Sequence, residues 1–360
     1  MSTPTTIIAV SVEPLHLPMY EPFVIATGTF DAAHNILVRV ELASGAVGLG
    51  EASPLMSSGG ETFATLFAAA NEMIPLLEGR DAARWRAIAA FLRDNFEVQS
   101  CPRAAVEMAL LDALTRHYGV PLYQWFGGAQ TAITTDLTIP IVAADHAREL
   151  AASIAARGIR TIKIKVGGDL ATDIERVVAI HEGAPDLALQ LDGNQGYDVT
   201  GALRLLRTLD HHGIEPILFE QPVHKDDWDG LVAVTARSRV PIAADESVHS
   251  PADALRVVRT RAAHVINIKL MKSTFLGALD IVSICRASHT GLMIGAMMES
   301  RLATAAAAHF VAGVGGFDYV DLDTPMLIAD DTFSGGYAQT GGVYDLTVTT
   351  AGHGVTRRAP

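Results

Sequence analysis

Between residues 161 and 323, almost every short apolar run ends on a charged side chain, and the runs recur at nearly even steps. The series is Thr161–Lys165, Leu187–Asp192, Ile217–Glu220, Pro241–Asp245, Val265–Lys269, Leu292–Glu299 and Tyr319–Asp323. Starting at Lys165, the steps to Asp192, Glu220, Asp245, Lys269, Glu299 and Asp321 are 27, 28, 25, 24, 30 and 22 residues. One strand and one helix returning beside it occupy a length of that order. The ladder therefore predicts successive βα units of a parallel barrel, whose charged strand ends converge on one mouth. Thr134–Val142 reads as the first strand. Amphipathic stretches at 144–157, 171–183, 201–213, 226–238, 251–262, 275–290 and 301–314 read as the helices between strands, which makes eight strands in all.

The chain before this region has a different grammar. Ile7–Val12 and Asn35–Leu42 are rich in β-formers, and Val47–Glu51 returns after the turn signal Ala43-Ser-Gly45. Gly48-Leu-Gly50 lacks the strand-to-helix setting of a nucleotide-binding loop and reads as part of that hairpin. Helical spacing follows at 61–77, 82–96 and 103–118, where Ala105, Met108, Ala109, Asp112 and Ala113 share one side before Gly119 and Pro121. Strands followed by helices imply an α+β unit. The expected organisation is an α+β cap over 1–125, a barrel over 126–324, and a Gly-, Thr- and Val-rich segment over 325–360 that packs back on the cap.

A formal charge of −13 argues against nucleic acid and anionic membrane surfaces as partners, though not against an anionic substrate. Cys101 and Cys285 have no metal-type spacing, and residues 1–20 contain no Lys or Arg. A cytoplasmic protein without disulfides, membrane span or secretory signal is expected. Gly167-Gly168 reads as a turn in preference to a phosphate cradle, and His211-His212 as a surface helix end.

Asp192, Glu220 and Asp245 close three successive strands. Three carboxylates within a few ångströms cannot all stay ionised unless a cation neutralises them. All-oxygen ligands select a hard ion, Mg2+ foremost and Mn2+ second. Lys163 and Lys165 project from one strand face while Ile162 and Ile164 fill the other. Lys269 ends the sixth strand, opposite the second in an eight-strand barrel, and a lysine beside another cation has a lowered pKa and can act as a base. Two lysines across a metal-bound carboxylate suit removal of an α-proton on one face and return on the other, through an enediolate. Asp321 and Asp323 read as one face of the last strand, where they could bind an ammonium group or cap the turn at Thr324-Pro325. Glu299 reads as a partner of Lys269 or a specificity residue.

Thr161–Gly167, Leu191–Gly196, Phe219–Asp227, Ala244–Ser247, Ile268–Lys272 and Asp321–Asp323 together resemble the enolase superfamily, muconate-lactonizing subgroup, and within it the dipeptide epimerases. The resemblance spans essentially the whole chain. It implies a modified TIM barrel, (β/α)7β, under an α+β capping domain. It also implies Mg2+ on Asp192, Glu220 and Asp245, with Lys165 and Lys269 as the acid/base pair and Lys163 assisting electrostatically. Asp321 and Asp323 would hold the free ammonium of a dipeptide, with Thr138 as a further substrate contact. A homo-oligomer is expected.

Epimerases of L-Ala-D/L-Glu carry an arginine in an early capping loop. The equivalent stretch here, Pro22–Thr29, has Gly28 at that place, and no Lys or Arg precedes Arg39. A buried acidic side chain without a cation is disfavoured, so a neutral or apolar second residue is expected. Phe23, Phe30, Met56 and Met298 are candidate pocket walls. The expected activity is epimerisation of L-Ala-Xaa-type dipeptides at the C-terminal residue. Two readings stand beside it: an o-succinylbenzoate synthase or muconate cycloisomerase, and an inactive metal-dependent binding or scaffold protein.

Overall fold

The computed structural model describes residues 3–55 and 61–358. A three-stranded antiparallel sheet comes first: β1 (Ile7–Ile25), β2 (Gly28–Leu42) and β3 (Val47–Ala52). The first two strands run well beyond their expected limits. Ile25 pairs with Gly28 at the tip of a long hairpin, and the register shifts between Pro18 and Phe23. The stretch Pro22–Thr29 is thus a hairpin end, not an open loop.

Three helices follow, α1 (Phe63–Leu77), α2 (Trp85–Asn95) and α3 (Ser100–Tyr118). In α3 every residue from Ser100 to Thr115 is buried, because the helix lies between β3 and the barrel. A Cβ on Gly50 would fall 2.0 Å from the Ala105 carbonyl oxygen, and one on Gly48 2.0 Å from that of Ala109. These two glycines, facing alanines one turn apart, let strand and helix meet backbone to backbone.

After α4 (Leu122–Trp125) and β4 (Ala132–Thr134), strands and helices alternate. The units are β5 (Leu137–Ile139), α5 (Ala144–Ala156), β6 (Thr161–Lys165), α6 (Leu170–Gly183), β7 (Ala188–Asp192), α7 (Val199–His211), β8 (Leu218–Glu220) and α8 (Trp228–Arg237). Next come β9 (Ile242–Ala244), α9 (Pro251–Thr260), β10 (Val265–Ile268), α10 (Leu270–Ser288), β11 (Gly291–Ile294), α11 (Arg301–Val314) and β12 (Tyr319–Val320). Strands β5 to β12 form one eight-stranded sheet in chain order, parallel throughout. Its ends meet where the Asp136 amide donates to Val320 O at 3.2 Å and the Leu322 amide to Thr135 Oγ1 at 2.8 Å. The fold is a modified TIM barrel with a capping domain. Side chains at the starts of the helices fasten many units: Asp169, Asp198, Asp227, Ser250 and Ser300 each accept a bond from a first-turn amide.

The single strand expected over Thr134–Val142 is instead two. β4 leaves the barrel and pairs antiparallel with residues 343–345 of the C-terminal segment. That segment contains β13 (Phe333–Gly335), β14 (Ala338–Thr340), β15 (Val343–Asp345) and β16 (Val355–Arg357). It returns to the cap where the His353 amide donates to Asp112 at 2.9 Å and Arg116 to Val355 O at 2.7 Å. Cys101 and Cys285 are free and buried, and no described helix is long and apolar enough to cross a membrane.

One joint between cap and barrel is a helix break. Thr274 has φ 60° and ψ 179° inside α10, and the Leu276 amide beyond it donates to Glu107 of α3 at 3.0 Å. A carboxylate of the cap thereby caps the second half of a barrel helix. Burial pushes the Glu107 carboxyl up to about 7 from 4.5, only partly opposed by the bonds it accepts. A carboxyl raised on folding binds more protons folded than unfolded between those values, so stability falls as pH rises through that window. We expect the stability of the native chain relative to Glu107→Gln to increase by up to roughly 3 kcal/mol between about pH 8 and about pH 5. Urea midpoints of both proteins at the two pH values measure it.

Candidate functional site

The charged ends of the ladder meet at the barrel mouth, and the alternation of β6 decides who faces it. Ile162 and Ile164 are fully buried in the apolar core, while Lys163 and Lys165 point inward. Register pairs Lys165 with Asp192 and Asp192 with Glu220, and pairs Glu220 with Ala243, two residues before Asp245. The three carboxylates therefore sit side by side at the ends of β7, β8 and β9.

Lys163, 1% exposed, is the hub of this array. Its Nζ lies 3.0 Å from Asp192 Oδ2, 2.7 Å from Glu220 Oε2 and 2.6 Å from Asp321 Oδ2. Burial alone would lower its pKa, but the carboxylates of Asp192, Asp321 and Glu220 hold it well above the ordinary lysine value. Burial would raise Asp192, yet Lys163 and Lys165 keep it below the usual carboxylate range. Burial and the neighbouring Asp192 push Glu220 up to about 7.

Lys165 Nζ donates to Asp192 Oδ2 at 2.7 Å, and Lys269 Nζ lies 2.8 Å from Asp245 Oδ2. Burial acts to lower Lys269, but Asp245 and Glu220 outweigh it and raise the group above its ordinary value. This is opposite to the lowered lysine expected from a neighbouring cation. The cause is the ion pair with Asp245, reinforced by Glu220. Lys272, which the sequence reading left without a role, donates to Asp245 Oδ1 at 2.5 Å and to Asp245 O at 2.6 Å.

The donor set fits a hard divalent ion. Glu220 Oε2 and Asp245 Oδ2 are buried and each is met by a lysine ammonium, at 2.7 and 2.8 Å. Buried carboxylate oxygens grouped beside Asp192, and held now by positive charge, are the hard donors such an ion takes.

A cleft of about 600 Å³, counted out to open solvent, lies above these groups. Lys165 and Lys269 line it from β6 and from the end of β10, together with Thr138, Asp321 and Asp323. Phe23, Ile25 and Phe30 of the cap hairpin and Met297, Met298 and Leu327 supply apolar walls. Phe23 and Phe30 are cross-strand partners. Gly28 stands at the hairpin end, where a Cβ would lie 3.3 Å from Phe30 Cζ, and does not itself line the cleft. Met56 lies outside the described residues.

Asp321 and Asp323 do not lie on a strand, since β12 ends at Val320. Asp323 precedes a short 3-10 turn over Thr324–Met326 without capping it by its side chain. Instead it accepts from the Thr138 amide at 2.6 Å, which turns the carboxylate towards the cleft. Glu299 also lies beyond its strand, five residues past Ile294. It accepts from the Met297 amide at 2.8 Å, and burial pushes it up to about 8.

Two further residues escaped the sequence reading. Asp136 shares a cluster with Asp321 and Asp323, with carboxylate oxygens all within 4.8 Å, and accepts from Gln190 at 2.9 Å. Lys163 already supplies a cation to this cluster through Asp321. Gly295 leaves room for the Lys269 side chain: a Cβ there would come within 3.0 Å of Lys269 Cε. The Gly167-Gly168 amides are taken by Asp173 Oδ2 at 2.9 and 3.0 Å, so the pair is a turn.

Residues 7–127 match the mandelate racemase/muconate lactonizing enzyme N-terminal domain, and residues 145–359 match the enolase C-terminal domain-like family. An aromatic dipeptide epimerase of Herpetosiphon aurantiacus is 47% identical over 98% of this chain and 99% of its own. A substrate-liganded L-Ala-D/L-Glu epimerase of Bacillus subtilis superposes with a TM-score of 0.95 at 36% identity, covering 99% of this chain and 100% of its own. A dipeptide epimerase of Enterococcus faecalis, complexed with Mg and L-Leu-L-Tyr, gives a TM-score of 0.94 at 31% identity, covering 98% of this chain and 100% of its own.

The Lys163 hub makes a direct prediction. Lys163→Met should lower stability by about 3 kcal/mol, because three buried carboxylates lose their shared cation. Urea titration of the metal-free protein near neutral pH measures it.

Proposed function

The chain belongs to the enolase superfamily, in its mandelate racemase/muconate lactonizing enzyme branch, and on that premise we propose that it is a Mg2+-dependent dipeptide epimerase. It inverts the α-carbon of the C-terminal residue in dipeptides whose second side chain is apolar. The observation that carries this reading is the pairing, in one cleft, of lysines from the second and sixth barrel strands with two carboxylates after the eighth.

Asp192, Glu220 and Asp245 would hold the metal. When bound, Mg2+ would supply positive charge against the substrate carboxylate and against the negative charge that develops as the α-proton leaves. Lys165 and Lys269 approach the α-carbon from opposite sides. One, as the neutral amine, takes the α-proton; the other, as the ammonium, returns a proton to the opposite face. Their Nζ protons exchange with solvent between turnovers, so inversion in D2O carries deuterium into the product. Lys163 keeps the carboxylate array together, and Asp321 and Asp323 bind the substrate ammonium. A lyase or cycloisomerase acting on an N-blocked or amine-free acid has no use for that pair. Mn2+ suits the same oxygen donors as a substitute ion.

Side-chain selection rests on the walls. Lys165 and Lys269 are the only cationic side chains among the described residues that line the cleft. Phe23, Ile25, Phe30 and Met298 instead favour an apolar side chain, consistent with the aromatic dipeptides named for the Herpetosiphon relative.

In D2O, mass spectrometry of L-Ala-L-Phe with enzyme and Mg2+ should show one deuterium at the inverted centre. A chelator should stop both exchange and inversion, and added Mg2+ should restore them. Lys165→Ala and Lys269→Ala should each abolish inversion, about 10³-fold or more, while each retains α-exchange with only one epimer. Normal turnover in either variant would rule out the two-base scheme. Equal activity on N-acetylated substrate would rule out the ammonium role of Asp321 and Asp323. Finally, Gly28→Arg should raise kcat/KM for L-Ala-L-Glu relative to L-Ala-L-Phe by about tenfold or more, by supplying the missing cation.

A further inference from the structure

Two polar side chains of the cap, Asn35 in β2 and Glu51 in β3, are wholly buried against the barrel. Asn35 Nδ2 spends its donors on Glu51 Oε1 at 2.7 Å and on the Met298 carbonyl at 2.7 Å. Glu51 accepts in addition from the Ser300 amide at 2.9 Å, the Ser300 hydroxyl and the Ala303 amide at 3.2 Å. The segment after β11 is thus fastened to the cap at residues 298, 300 and 303. We propose that Asn35 and Glu51 are positioning residues that fix the Met297–Met298 wall of the cleft against the cap and thereby set its preference for a bulky apolar side chain. The specificity half of this inference rests on the epimerase reading of the cleft.

A helix cap alone does not account for the arrangement. Ser300 Oγ already caps α11 by accepting from the Leu302 amide at 3.1 Å. The bond from Asn35 goes to Met298 O, upstream of the helix, where capping needs nothing. Asn35 Oδ1 is buried without a hydrogen-bond partner, so the amide is kept for its two donors at a desolvation cost that an apolar residue would avoid. From the other side, the Thr324 hydroxyl donates to Met297 O at 3.2 Å, and Glu299 holds the Met297 amide. Met297 and Met298 are flexible side chains that repack easily unless their backbone is pinned. The bonds from the cap and from the eighth unit fix that backbone on both flanks, which makes the wall a joint product of cap and barrel.

The test uses Asn35→Leu, with Glu51→Gln as a second variant of nearly unchanged volume should the first fail to fold. Hydrogen–deuterium exchange of the substrate-free protein reads the clamp, and steady-state kinetics with L-Ala-L-Phe and L-Ala-L-Ala read its consequence. Amides of residues 296–303 should exchange about tenfold faster or more in the variant, with the barrel strands unchanged. KM for L-Ala-L-Phe should rise about tenfold with kcat within about threefold, and KM for L-Ala-L-Ala should change far less. Unchanged exchange at 296–303, or an equal loss for both dipeptides carried in kcat, would overturn the proposal. A native enzyme that inverts no dipeptide would refute the epimerase reading alone, since the exchange result still decides the clamp.

Discussion

Everything at the barrel mouth depends on how a row of carboxylates is kept from repelling itself. Asp192, Glu220 and Asp321 all lie within 3.0 Å of one ammonium, that of Lys163. The lysine is inside because β6 alternates, and the alternation that buries Ile162 and Ile164 forces residues 163 and 165 to the axis. One strand thus provides both a structural cation and a cleft-facing amine, two residues apart. The first sits below the cleft among acids, while the second reaches its floor. The array is strongest as a set, because removing Lys163 takes the shared cation from three buried carboxylates.

Chemistry and selection are divided between the two parts of the molecule. The lysines and the acidic groups come from the barrel, on strand ends that parallel pairing holds in register. The apolar walls come from the tip of the β1–β2 hairpin and from loops after the seventh and eighth strands. The joints between the parts are buried carboxylates of the cap, Glu51 and Glu107, each accepting amides of a barrel helix. Cap placement and helix placement are consequently one problem.

The sequence revealed what leaves a periodic mark. Alternation marked the two lysines, even βα spacing marked the metal-type carboxylates, and strands-then-helices marked the cap. Strand ends were less legible. The last strand stops at Val320, yet Asp321 and Asp323 still look like its continuation, because apolar and acidic residues go on alternating. Asp136 was missed because a lone aspartate in a polar run carries no pattern, and Gly295 because its value lies in a clash that only three dimensions expose. The break at Thr274 has neither Gly nor Pro to announce it, and a carboxylate 167 residues earlier in the chain caps it. Asn35 and Glu51 carried no signal beyond their place in β-rich runs, yet both are wholly buried.

The poverty of cations in the cleft suits the proposed two-base scheme. In that scheme each lysine must lose or gain a proton during turnover, so a further anion beside it works against the chemistry. An acidic substrate side chain entering a cleft whose cations are Lys165 and Lys269 would pair with one of them. That pairing would raise the amine's pKa, just as Asp245 raises Lys269, and would draw it away from the α-carbon. In such a scheme an acidic side chain calls for a separate cation on the cap, away from both lysines. Residues 22–29 of the hairpin carry Gly28 and no Lys or Arg, and Phe23, Ile25 and Phe30 line the cleft instead. Apolar walls add no further anion beside Lys165 and Lys269, which already face Asp192 and Asp245, and in the proposed reaction the substrate's charge is confined to its carboxylate and its ammonium.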